Sequence, residues 1–401
     1  MGEELTRADE DGFEGGLDEE CYIDIDDLYV MTFSIEGDAS ELSSESKLLE
    51  VLWNGSGKGK SKGSGIHYSG NTVYLHTWLD HNIINYNPSS EKDFCLVAIA
   101  NFKQFSRSEG GDVSLTKDMV FGDLQKALKY DFAPNSKVAN GDTDEWYWQP
   151  FRDESGARNK TGIPLFGVKR VNLRHYDKTV HNFANPFLLM SNGSPTLWMM
   201  RAFAKIEVKL HPDLYDPEVT NTNIAITSAC VDNNYASSFW VIPELERIEG
   251  FKNGNDYGTG ETDDVLKIPG ENFRSEKTTR SEQIQFAISE DGRSAVAYLP
   301  EYGLLQAQNN VPRIYLTLKI GDITENFNFA IKQYPDVSPE PACWQYLLRN
   351  HLYRFQVGLD FRIFSIDPMP WDNAFDNEFN FGSSTEDTQP DQTEQENTED
   401  E

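Results

Sequence analysis

Apolar and polar positions alternate in short runs along most of this chain. Residues 23–35 show the period of two that marks a strand: Tyr29, Met31, Phe33 and Ile35 fall on one face, Leu28 and Val30 on the other. Glu36-Gly37-Asp38 then reads as a turn. Further strands are predicted at residues 48–53, 72–78, 168–173 and 187–190. The run FCLVAIANF at residues 94–102 is apolar almost throughout, as a central strand buried on both faces would be. Residues 114–130 break the rhythm: Phe121 precedes Leu124 by three and Leu124 precedes Leu128 by four, which predicts a helix.

The second half repeats the strand pattern. Residues 203–210 (FAKIEVKL) alternate, and strands are predicted at 224–231, 239–242, 285–288, 295–299, 314–320 and 327–331, with a last alternation over 353–364. Between them lie turn-rich stretches. Residues 252–264 read as a long loop, and GSGKGKSKGSG at 55–65 as a loop tip without the GxxxxGK[ST] spacing of a phosphate loop. Many short strands with one or two short helices predict an all-β chain of two tandem Ig/transthyretin-like β-sandwich domains. The expected limits are 20–198 and 199–382, preceded by a flexible acidic segment at 1–19 and followed by a disordered acidic tail at 383–401. The tail, SSTEDTQPDQTEQENTEDE, has no basic or large apolar residue.

Charge removes whole classes of partner. With 35 Lys+Arg against 66 Asp+Glu the net charge is −31, which repels nucleic-acid phosphates and anionic leaflets. No apolar run is long enough for a membrane-spanning helix, and no signal peptide is visible; Met1-Gly2 before a polar segment is how a chain whose leader has been removed would begin. Cys21, Cys95, Cys230 and Cys343 form no CxxC pair, so zinc ribbons and dithiol redox motifs are excluded. Buried thiols are the expectation, with a Cys21–Cys95 disulfide left open.

Catalytic chemistry finds no footing. His67, His76, His81, His175, His181, His211 and His351 form no HExxH, and there is no GxSxG elbow and no GxGxxG after a strand. Asp24-Ile-Asp26-Asp27 and Asp142-Thr-Asp144 lack the glycine and closing Glu of a calcium loop. No catalytic residue, metal or cofactor is expected. A polysaccharide-acting enzyme stays as a third class, which two convergent carboxylates in a cleft would favour. Trp146, Tyr147 and Trp148, near Arg152 and Asp153, are the candidate ligand-binding residues: aromatics in a polar stretch can stack on sugars or anchor a host protein, or can simply fill a sandwich edge.

Seven segments in order resemble the fimbrillin family of Bacteroidetes, the type V pilus subunits: DDLYVMTFSIEGD at 26–38, LVAIAN at 96–101, IPLFG at 163–167, RAFAKIEVKL at 201–210, YLPEYG at 298–303, RNHLYRFQV at 349–357 and PWDNAF at 370–375. Each alone reads as an ordinary strand or turn; order and spacing carry the match. The acidic tail departs from the family pattern, and no lipidation cysteine is present. The resemblance implies a non-enzymatic subunit of a cell-surface, outer-membrane-associated fimbrium, made as a lipid-anchored precursor, polymerising head to tail with other fimbrial subunits and supporting adhesion. Assembly would follow protease-triggered donor-strand exchange, with Arg7-Ala8 as the candidate processing point. An incidental Arg7 in a loose terminus is the equal alternative, and few residues precede it to supply an excised strand. Met369, Trp371, Phe375, Phe379 and Phe381 are the candidate donor-strand anchors, residues 361–366 being expected to pair within the second domain. The alternative roles are a tip or accessory adhesin that binds host glycan or protein through first-domain loops, and a membrane-proximal anchor.

Overall fold

The computed structural model describes residues 20, 22–35, 42–55, 65–69, 72–76, 93–103, 105, 115–116, 118–132, 136–140, 143–147, 162–177, 179–180, 187, 197, 199–216, 223–232, 235–244, 283–304, 312–331, 345–347, 349–358, 361, 363–365 and 369–370. The first half holds β1 (Leu28–Ser34), β2 (Leu48–Asn54), β3 (Gly65–Ser69), β4 (Thr72–His76), β5 (Asp93–Ala100), helix α1 (Phe121–Ala127), β6 (Lys129–Asp131), β7 (Ser136–Asn140), β8 (Thr143–Tyr147) and β9 (Leu165–Asn172). The second half opens with β10 (Met200–Arg201), β11 (Phe203–Leu210), β12 (Ile224–Val231), β13 (Ser238–Trp240), β14 (Ile284–Gln285), β15 (Ala287–Ile288) and β16 (Ser294–Pro300). It continues with β17 (Tyr302–Leu304), β18 (Arg313–Ile320), β19 (Ile323–Ala330), β20 (Gln345–Leu347), β21 (His351–Val357), β22 (Ile363–Ser365) and β23 (Met369–Pro370).

Three sheets carry the architecture, in strand orders β10-β9-β5-β1-β2, β15-β16-β11-β21-β22 and β14-β12-β18-β19, with β23 also on β21. In the first sheet β5 is central and buried on both faces, as its apolar run predicts. Cys95, Val97 and Ile99 join the main core with Met31 and Phe33, while Phe94, Ala98 and Ala100 join a second cluster with Leu28, Val30 and Leu165. In the second sheet β11 pairs antiparallel with β16 and parallel with β21. Its even-numbered residues Ile206, Val208 and Leu210 lie beside Ala295, Ala297, Tyr353, Phe355 and Val357 in the core. The third sheet supplies Ile226, Ala229, Ile314, Leu316 and Leu318 to the same core. Sheets that share one apolar interior make this an all-β sandwich architecture.

The main core runs on between the first sheet and the other two. Phe203 and Phe105 each pack edge-on against Phe239, with ring centroids 4.8 Å apart, and Phe132 packs edge-on against Phe203 at 5.5 Å. Beside this aromatic cluster β6 and β13 pair antiparallel, so a strand from each half ties the halves through main-chain bonds.

Several expectations need correcting. The helix spans Phe121–Ala127, not 114–130, because Lys129 already begins β6. The alternation at 353–364 is two strands: the chain reverses after β21, with Phe361 at φ 58. Residues 285–288 are split at buried Phe286, so that β14 lies in the third sheet and β15 in the second. The strand predicted over 23–35 begins only at Leu28, after a 3-10 turn at Ile25–Asp27. Residues 188–190, the acidic segment 1–19 and the tail 383–401 lie outside the described residues.

Candidate functional site

Six of the seven segments that carry the family resemblance meet at one place, a strap of residues 20 and 22–27 that reaches from the second sheet to the start of β1. At its far end Glu20 is fully buried, its carboxylate 2.9 Å from Lys205 Nζ and accepting a hydrogen bond from the Tyr298 hydroxyl. Lys205 and Tyr298 are cross-strand partners on β11 and β16 and so form a two-pronged seat. Arg201 Nε donates to the Glu20 carbonyl at 3.0 Å, and Arg201 Nη1 donates to Asn350 Oδ1 at 3.3 Å. Burial, with the Glu20 carboxylate beside it, pushes the Tyr298 phenol well above its ordinary range.

The near end of the strap is held by Asn101. This residue ends β5 at φ 63, a left-handed conformation that asparagine tolerates. Its Oδ1 accepts from Asp24 N at 2.8 Å, and its Nδ2 donates to the carbonyls of Tyr22 at 2.7 Å and Ile163 at 2.8 Å. A Cβ on Gly162 would fall 2.2 Å from Asn101 Nδ2 and 2.7 Å from the Tyr22 carbonyl, so only glycine lets the strap lie this close. Asp27 follows. Its Oδ2 accepts from Lys103 N at 2.7 Å, while Oδ1 has no hydrogen-bond donor among the described residues and Lys103 Nζ stands 3.9 Å away. Burial outweighs these partners and raises the Asp27 carboxyl to about 7.

A second buried network lies beside the first. Arg349 Nε donates to Glu301 Oε2 at 2.8 Å, and its two terminal nitrogens donate to the carbonyls of Val241 at 2.9 Å and Trp240 at 2.8 Å. On β11 and β21 Glu207 accepts from Arg354 Nε. These charges are satisfied in pairs and bonded to main chain, the condition under which buried ions are tolerated. The arrangement fixes segments to one another. No cluster of three metal-ligating side chains occurs among the described residues.

Of the residues singled out from sequence, Met369 lies on β23, opposite Leu352 on β21 of the same chain. Trp371, Phe375, Phe379 and Phe381 lie outside the described residues, as do Arg7, Ala8, Trp148 and Cys21. Trp146 and Tyr147 are on β8, opposite Lys137 and Ser136 of β7, and β8 passes beside β14. Cys95 and Cys230 are buried, Cys230 Sγ lying 3.6 Å from Gln283 Oε1. His351 is buried, its Nδ1 2.7 Å from the Arg349 carbonyl. The sequence offered no sign of the Glu20 seat, because Lys205 and Tyr298 stand 185 and 278 positions from Glu20.

No family model matches the chain, and no curated protein matches it. Among solved structures it is similar to the tip fimbrial protein Mfa3 from Porphyromonas gingivalis, at 12% identity over 88% of this chain and 96% of that one, with a TM-score of 0.47. It is also similar to a candidate cell adhesion protein from Parabacteroides distasonis, at 12% identity over 90% and 86% with a TM-score of 0.36. A candidate polysaccharide-binding protein from Bacteroides thetaiotaomicron is similar at 11% identity over 86% and 91%, with a TM-score of 0.31.

Proposed function

We propose that this chain is a structural and adhesive subunit of a cell-surface fimbrium, built from two sandwich units divided near residues 198–199 and assembled by strand donation. The observation that carries this reading is the position of the last strand segments. β22 and β23 both run antiparallel to the same edge of β21, with one residue of register shift between them. β23 ends at Pro370, and the sequence beyond it carries apolar anchors at Trp371, Phe375, Phe379 and Phe381. An extended segment with alternate large side chains is the form that adds to another subunit's sheet, with main-chain bonds for strength and pockets for register. A head-to-tail contact of this kind grows a filament and not a closed ring.

Arg7 then has a defined consequence as a processing point. Cleavage there leaves Glu20 in its seat, so the strap stays anchored while the segment before it is released. Outer-membrane delivery as a lipid-anchored precursor belongs to the same reading.

The test is light scattering after size exclusion, with negative-stain microscopy, before and after brief treatment with an Arg-specific protease. An oligomer ladder or filaments after cleavage, abolished by deleting residues 371–382, is the expected result. A chain that remains monomeric after confirmed cleavage overturns strand donation.

A further inference from the structure

Tyr315 is an exposed aromatic side chain, 41% accessible in the middle of β18. Strand alternation puts Arg313, Thr317 and Lys319 on its face, and the register with β19 adds Asn328 opposite Tyr315 and Asn326 opposite Thr317. These side chains hold one another in place. Arg313 Nε donates to Asn328 Oδ1 at 3.2 Å, and Thr317 Oγ1 donates to Asn326 Oδ1 at 2.9 Å. Both amide oxygens are thus engaged, and both Nδ2 groups are donors without an acceptor among the described residues. β18 and β19 pair over eight positions with no register shift, so the surface is regular and stiff.

The outer face of an antiparallel sheet is ordinarily polar. In a chain with 66 Asp+Glu, a face that merely meets water should carry its share of carboxylates. The outward positions of β18 and β19 carry none: Glu325 stands opposite Leu318, on the other face, and Asp322 is in the turn. The nearest corner carboxylate, Asp232, is itself buried.

We propose that this face of β18 and β19 is a binding platform for an uncharged polysaccharide chain. A pyranose offers an apolar C–H face ringed by hydroxyls. The Tyr315 ring supplies an apolar surface for the first, and the asparagine amides, the Thr317 hydroxyl and the Arg313 fork supply directional partners for the second. The six steps from Arg313 to Lys319 span roughly 20 Å at ~3.3 Å per residue, a track that suits a polymer and not a single sugar. Arg313 is committed to Asn328, and the −31 charge of the whole chain opposes a polyanion, so an uncharged glycan is the matching class.

The test is affinity electrophoresis of the full chain in gels containing xyloglucan, mixed-linkage β-glucan, mannan, dextran or polygalacturonate, followed by calorimetry on any hit. The expected result is retardation by at least one uncharged polysaccharide, weakened at least tenfold in Tyr315→Ala and several-fold in Asn326→Ala, with melting temperature and filament formation unchanged. Because these side chains are exposed, both variants should fold; Thr317→Ala serves as a third probe of the same face. Three outcomes overturn the proposal: no uncharged polysaccharide retards the wild type, Tyr315→Ala binds as well as the wild type, or polygalacturonate alone binds. Retention lost in Trp146→Ala but kept in Tyr315→Ala also overturns it and places binding on β8. Filament assays are read separately, so failure here leaves the fimbrial reading standing.

Discussion

Asn101 explains why a strand ending in Ala-Asn was a legible feature without being an explicable one. The residue closes β5 in a left-handed turn and spends its amide on three main-chain groups from two other segments. A sequence shows the asparagine and the end of an apolar run; it does not show that the strap returns to it, because that contact joins positions 77 and more apart. Asp27 is the same kind of residue, and its titration can be measured. Its folded value, about 7, lies above the ordinary 3.8, so between those values the folded state holds a proton that the unfolded chain has released. Its contribution is therefore fully favourable only at low pH and is lost as pH rises from about 4 to 7. The difference is on the order of 4 kcal/mol at ~1.4 kcal/mol per unit, reduced by whatever water reaches the site. Asp27→Asn keeps an acceptor for Lys103 N and removes the proton. Plots of melting temperature against pH should diverge upward for the variant from about pH 4 to 7 and run parallel above; superimposable plots would show that Asp27 ionises normally.

Elements followed the hydrophobic period where one face meets one core. FAKIEVKL at 203–210 and the run that became β18 were legible because apolar residues at every second position face a single interior, whereas β12 changes parity at a register shift between Ile226 and Ser228. The period misled at two kinds of place. Residues 114–130 carry helical spacing beyond the helix because Leu115 and Met119 also pack on the core while Tyr130 is claimed by β13. The run at 353–364 alternates through a reversal because Phe361, although at φ 58, packs on the same core as the strands around it. The β18–β19 turn was easier, since Gly321 at φ 60 stands first of two residues between paired Ile320 and Ile323, the place glycine takes in a II′ hairpin. Gly321→Val forces a branched side chain into that conformation at a cost of about 1–2 kcal/mol. Hydrogen exchange of the β18 and β19 amides should quicken by about tenfold, with β5 and β11 unchanged. Equal acceleration throughout the chain would mean that the hairpin does not open independently.

At the scale of the whole molecule, charge and architecture pull in opposite directions. The buried network at Glu20 binds segments of both halves together and that at Arg349 binds segments of the second half, while the net charge of −31 sets every copy against every other. A subunit that polymerises by strand donation must bring these like-charged bodies together before main-chain bonds can form. The repulsion acts over a screening length of about 30 Å at 0.01 M salt and ~8 Å at 0.15 M, whereas strand pairing itself is short-ranged and little affected by salt. Encounter, and not the finished contact, is therefore the salt-sensitive step. Protease-activated subunit should lengthen into filaments slowly in 0.01 M sodium chloride and at least several-fold faster in 0.15 M. Filaments formed at the higher concentration should persist when the salt is diluted away. Light scattering over time, with a dilution arm, separates the two effects. Filaments that dissolve on dilution would mean that the joint is an ionic surface contact and not a donated strand, and equal growth rates in both buffers would mean that the joining faces are shielded from the charge carried by the rest of the chain.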